Sequence, residues 1–138
     1  MNLLIEREST YLLVAETLTQ ILQQLKPEHA LHAIKGFNTR MSSALHMTLS
    51  TNMLIGLTMH LACLLDRLLQ GPTETLFPDK ACYIQQHHEM FLLIRHELIP
   101  VEQLFSLSIS DDEICTLCRF FISKEISQAT EDVINAYS

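Results

Sequence analysis

The chain has 138 residues, 48% hydrophobic and 18% charged, with a net charge of −7. That is one domain's length, enough to bury a real core, and the acidic balance argues against a nucleic-acid surface on these residues, which needs a basic footprint. Only three glycines and four prolines are present, so turns are few and elements long. Good helix formers dominate and strand alternation is scarce, which reads as all-α.

The opening MNLLIERESTYLLVAETL carries early acidic residues and no basic leader, so it does not read as a signal peptide. Leu3, Leu4, Tyr11, Val14, Ala15, Leu18, Ile21, Leu22 and Leu25 recur at helical spacing and predict a first helix over residues 3–25, closed by Pro27. A second helix is expected from Glu28 to Met47, loosened near Gly36. Ser50 or Thr51 is the expected N-cap of a third helix, which stops at Gly71-Pro72. The stretch GPTETLFPD, residues 71–79, is the clearest loop. A fourth helix is expected from Asp79 through Ile99, with Pro100 kinking it or splitting off a short helix over 101–105. Ser110-Asp111-Asp112-Glu113 fits a capping box and opens a fifth helix, Asp111 to Ser123. Ser127 to Ala136 reads as a final short helix. The third and fifth helices are apolar on most sides and should be central. No apolar run reaches about 18 residues without interruption, so no membrane span is expected.

The third helix holds the residues that could carry chemistry. In LIGLTMHLACLLDRLLQG, residues 54–71, one histidine, His60, and one arginine, Arg67, lie nearly two turns apart on one face. Helical side chains lean toward the N-terminus, so Arg67 can reach back toward an anion on His60. A neutral imidazole is a competent nucleophile for an activated phosphoryl group, and arginine supplies charge-assisted hydrogen bonds to the product. On residue types alone, the commoner explanation is a partly buried histidine bonded to a carbonyl, with Arg67 paired to an acid of another helix.

The remaining signals are weaker. His87, His88 and His96 lie on the fourth helix and could be metal ligands, but exposed helical histidines are commoner. His29, His32 and His46 receive no role. Cys63, Cys82, Cys115 and Cys118 all fall in apolar helical patterns and read as reduced core thiols of a cytoplasmic protein. Cys115-x-x-Cys118 has no second pair to complete a zinc site and no strand beside it for redox chemistry, which favours packing. Asp111, Asp112 and Glu113 are explained by capping and the helix dipole. No phosphate loop or catalytic constellation is visible, so an enzyme is not expected, nor is a cofactor.

HLACLLDRLLQG, residues 60–71, resembles the signature helix of the PTS regulation domain (PRD) family. ISDDEICTLCRFF, residues 109–121, resembles that family's last core helix. The spacing between them, the Phe-Pro loop and the helix leading to Leu104-Phe105 agree. The resemblance is strongest over residues 45–122, and the wording around Cys63-Leu-Leu-Asp-Arg67 is most like PRDs of levanase-activator-type, enhancer-dependent transcription activators. It implies a single domain over 1–138, folded as a five-helix bundle with room for an extra C-terminal helix, cut from a longer cytoplasmic regulator and paired as a homodimer. It also implies phosphorylation on histidine by the phosphocarrier HPr or a sugar-specific enzyme II B component. His60 matches the first phosphoacceptor and Arg67 the family arginine on the same helix. The second acceptor position falls on Phe120, so that histidine is missing here. Two other functions remain open: a dimerisation module of the same fold that is never phosphorylated, and a metal-binding helical bundle.

Overall fold

The computed structural model describes residues 3–71 and 76–122. Among these residues the fold is six helices and no strand: α1 (Leu3–Ile21), α2 (Pro27–Leu45), α3 (Thr51–Gln70), α4 (Lys80–Gln86), α5 (His88–Phe105) and α6, residues 111–122. The segment expected to form a last helix, Ser127 to Ala136, lies outside the described residues.

α3 takes the centre because its apolar residues leave it no wholly polar face. Leu57, Leu61, Leu64 and Leu65 are fully buried, each contributing about 2 kcal/mol of apolar transfer. α1 and α2 pack against it, α5 packs on α2, and the short α4 packs on α5. α6 closes the bundle with Ile114, Cys115, Leu117, Cys118 and Phe121 buried. By length and composition α3 alone among the described residues could cross a membrane, but half of that window is buried inside the protein. A buried polar trio ties the first three helices: the Asn38 amide donates to the Tyr11 hydroxyl at 2.9 Å and to Thr58 Oγ1 at 3.2 Å.

The third helix starts and stops where its caps dictate. Ser50 is the N-cap, its hydroxyl accepting from the Met53 N–H at 3.2 Å, and Gly71 ends it with φ 152°. α2 runs unbroken through Gly36, against the expected loosening. The glycine leaves space for a side chain one turn on, since a Cβ there would stand 3.0 Å from the Arg40 guanidinium.

Three other boundaries differ from expectation. α1 ends at Ile21, not Leu25, because Asp66 of α3 takes the next backbone donors. Its carboxylate accepts from the N–H groups of Gln23 at 3.2 Å, Gln24 at 2.7 Å and Leu25 at 2.9 Å. The expected fourth helix breaks at His87, between α4 and α5. Pro100, expected to break it, sits inside α5. Pro100 and His96 both face solvent, so the carbonyl that the proline deprives of a donor can meet water. Beside it, Arg40 donates to the Glu97 carbonyl at 2.8 Å and to the Glu97 carboxylate at 2.8 Å, bracing the turn. The described residues therefore form six helices, where a five-helix bundle with room for an extra C-terminal helix was expected.

Candidate functional site

His60 sits midway along α3, with its side chain 27% exposed. Its neighbours come from α6. The Phe120 ring lies 5.3 Å from the imidazole at a tilt of 49°. It rests over Gly56, one turn before His60, with Cε1 3.4 Å from where a Cβ would be. The position where the family resemblance places a second acceptor is thus in ring contact with the first. The side chain there is an apolar cover.

The second neighbour is Glu113, whose Oε2 stands 4.0 Å from His60 Nε2 while the side chain is 4% exposed. The capping box is half realised. Ser110 Oγ accepts from the Glu113 N–H at a long 3.4 Å, but the carboxylate does not turn back to cap the helix. It points inward, and Glu113 Oε1 and His60 Nε2 are both buried without a hydrogen-bond partner. Asp111, Asp112 and Glu113 lie in the first turn of α6, as the dipole reading requires, but each carboxylate also faces a group outside the helix. Asp111 pairs with Arg95 of α5. Asp112 accepts from the Phe77 N–H at 2.9 Å and from Lys80 Nζ at 3.1 Å, fastening the segment before α4 to α6. Glu113 belongs to the histidine.

Burial pushes the His60 imidazole below its ordinary value, Glu113 pulls it up and Arg67 pushes it down again; the net shift is downward. The ring is therefore neutral near pH 7 and holds one lone pair. Arg67 is exposed, and its guanidinium makes no hydrogen bond or ion pair among the described residues. Among the described residues neither part of the commoner explanation is found: His60 is not bonded to a carbonyl, and Arg67 is not paired to an acid.

Asp66, next to Arg67, faces the other way. Its burial pushes the carboxyl up, but the backbone N–H groups of Gln24, Leu25 and Gln23 and the Gln70 amide outweigh that and hold it below the usual carboxylate range. It is an anchor, with no share in the His60 site.

The other sequence candidates are not brought together. His87 stacks on Tyr83 with ring centroids 4.6 Å apart, whereas His88 and His96 are exposed, as are His29, His32 and His46. Among the described residues no group of three or more His, Cys, Asp or Glu could hold a metal ion. Of the four cysteines expected in the core, Cys115 and Cys118 are free and buried, Cys63 is half-buried and Cys82, on the short α4, is exposed; burial, reinforced by Cys115, pushes the Cys118 thiol up to about 12. A thiol so placed stays protonated and serves packing. Sequence reasoning missed Glu113 as a site residue; its signal, an acid whose capping role is already supplied by Ser110, is visible only once α6 lies on α3.

The PRD domain family matches the chain over residues 35–124. The match begins inside α2, earlier than the resemblance read from the sequence, and includes His60, Arg67, Glu113 and Phe120. No curated protein and no solved structure matches the chain.

Proposed function

The chain belongs to the PRD domain family, regulatory modules tied to the sugar phosphotransferase system, and from that premise we propose that His60 accepts a phosphoryl group and so switches a transcription regulator. The observation that carries this is the pairing of a neutral, part-open imidazole with an arginine on the same helix face that has no partner among the described residues. A structural histidine would have spent its ring nitrogens on the fold, and a structural arginine its guanidinium.

The donor is the phosphocarrier HPr or a sugar-specific enzyme II B component. Transfer places about two negative charges at His60. Arg67 is the group to receive them, because charge-assisted hydrogen bonds from a guanidinium suit phosphoryl oxygens. The domain works in the cytoplasm as a homodimer, in a protein of the levanase-activator type whose effector domain lies outside these residues. In a two-fold dimer any new charge appears twice, so a modest local repulsion is doubled at the interface.

A second reading is a dimerisation module of the same fold that is never phosphorylated. Phe120 favours it, since a phenyl ring stands where a second acceptor would be. Phosphoryl transfer separates the two. With phosphoenolpyruvate, enzyme I and HPr, and with or without an enzyme II B component, the protein should take up acid-labile phosphate, and His60→Ala should take up none. No uptake from any donor rejects the switch in favour of the dimerisation module.

A further inference from the structure

His60 Nε2 and Glu113 Oε1 are both buried without a hydrogen-bond partner, and the other oxygen of that carboxylate, Oε2, stands 4.0 Å from Nε2 across the α3–α6 contact. A carboxylate accepts hydrogen bonds and donates none. With the ring proton on Nδ1, an Nε2 lone pair would face carboxylate lone pairs inside the protein, two acceptors repelling at low dielectric. With the proton on Nε2, the same atoms become a donor and a charged acceptor. An approach of about 1 Å then gives a bond of ordinary length. The stable neutral tautomer therefore carries its proton on Nε2 and its lone pair on Nδ1. Nε2 is buried, so the exposure of the His60 side chain, 27%, does not come through that nitrogen, which leaves Nδ1 as the one a donor can approach.

We infer that Nδ1 is the atom of His60 that takes the phosphoryl group, and that Glu113 is the positioning residue that holds the Nε2 proton through the transfer. The inference rests on the phosphoacceptor reading and specifies its chemistry. The donor is a protein phosphohistidine whose ring is protonated on its other nitrogen. The Nδ1 lone pair attacks phosphorus, an N–P bond forms there, and the donor's N–P bond breaks. The bonding pair returns to the donor ring, which leaves as neutral imidazole with its own proton. His60 becomes a phosphorylated imidazolium that keeps its Nε2 proton, and the Glu113 carboxylate balances the positive charge. No proton changes hands. A buried carboxylate behind an imidazole fixes tautomer and stabilises imidazolium in the same way in hydrolytic triads.

The test is the long-range proton–nitrogen NMR correlation of the His60 ring in 15N-labelled protein, before and after loading from phosphoenolpyruvate, enzyme I and HPr. The expected spectra show Nε2–H in the free protein, then phosphorus on Nδ1 with Nε2–H retained. In folded Glu113→Gln the preference for Nε2–H should be lost and uptake slowed about 10–100-fold, the range found when a histidine loses its orienting partner. A purely structural Glu113 would shift the melting temperature and leave the tautomer alone. Phosphorus on Nε2, or an Nδ1–H tautomer in free wild-type protein, overturns the assignment and leaves His60 as acceptor. No uptake by wild-type protein overturns the acceptor reading itself, and the assignment with it.

Discussion

Two acids are buried on the two central helices, and they differ in what meets them. Asp66 on α3 is 5% exposed and Glu113 on α6 is 3% exposed, so burial does not separate them. Asp66 receives three backbone N–H groups and the Gln70 amide. Among the described residues none donates to the Glu113 carboxylate, and His60 Nε2 is 4.0 Å from it. A satisfied buried carboxylate holds a structure together. An unsatisfied one costs stability, and is intelligible where a change of state will satisfy it. When the imidazole becomes cationic, as on phosphorylation, Glu113 gains the charged donor it lacks.

The sharpest way to break this contrast is to remove each acid. Asp66→Ala should lose about 3 kcal/mol, because it strands backbone donors of the α1–α2 connection as well as deleting their acceptor. The melting temperature should fall by roughly 10 °C. The same anchor predicts an acid limb. Its folded carboxyl titrates below the usual range, so its stability is fully present above the unfolded value near 3.8 and is lost as pH falls through the lower folded value. Asp66→Asn should flatten that limb in urea titrations.

Phe120→Ala comes next. It uncovers one face of His60 and should lose about 2 kcal/mol, less than a fully buried aromatic because the ring is only half buried. Water should then reach the imidazole and raise its titration midpoint toward the ordinary value, read from ring-proton shifts. Ser50→Ala removes the N-cap of α3 and should cost about 1 kcal/mol in thermal unfolding. Glu113→Gln should be smallest, under about 1 kcal/mol, because the amide replaces a carboxylate whose charge is uncompensated. A loss as large as that of Asp66→Ala would mean Glu113 is an anchor too.

His60 adds a gentler pH dependence. Its folded midpoint lies below the unfolded 6.5, so the unfolded chain takes up a proton first as pH falls. Stability is highest above 6.5 and declines below it until the folded ring also protonates. His60→Gln should remove that part of the slope.

Much of the fold was legible in local chemistry. The apolar density of α3, its Ser50 cap, its Gly71 stop and the Ser110 start of α6 all act within a few residues, and sequence spacing reads such signals well. The His60 face with Arg67 was legible for the same reason: both lie on one helix. What failed was long-range. The end of α1 is set by Asp66, more than 40 residues away in sequence, and residues 22–26 give no local reason to stop. Pro100 looked like a breaker, and only its solvent-facing position together with the Arg40 brace explains why α5 runs through it. Glu113 looked like a capping residue because its spacing from Ser110 is that of a cap; its role as partner of His60 depends on how α6 lies across α3.

The account stands on His60 being neutral at physiological pH with Glu113 behind it. Following the His60 ring proton by NMR from about pH 5 to pH 8, roughly the span in which histidine titrates, reads this directly. A midpoint below 6.5, rising in Phe120→Ala, is the predicted result. A midpoint above it would mean that Glu113 already holds a charged imidazolium, with no lone pair free to accept a phosphoryl group, and would contradict the account.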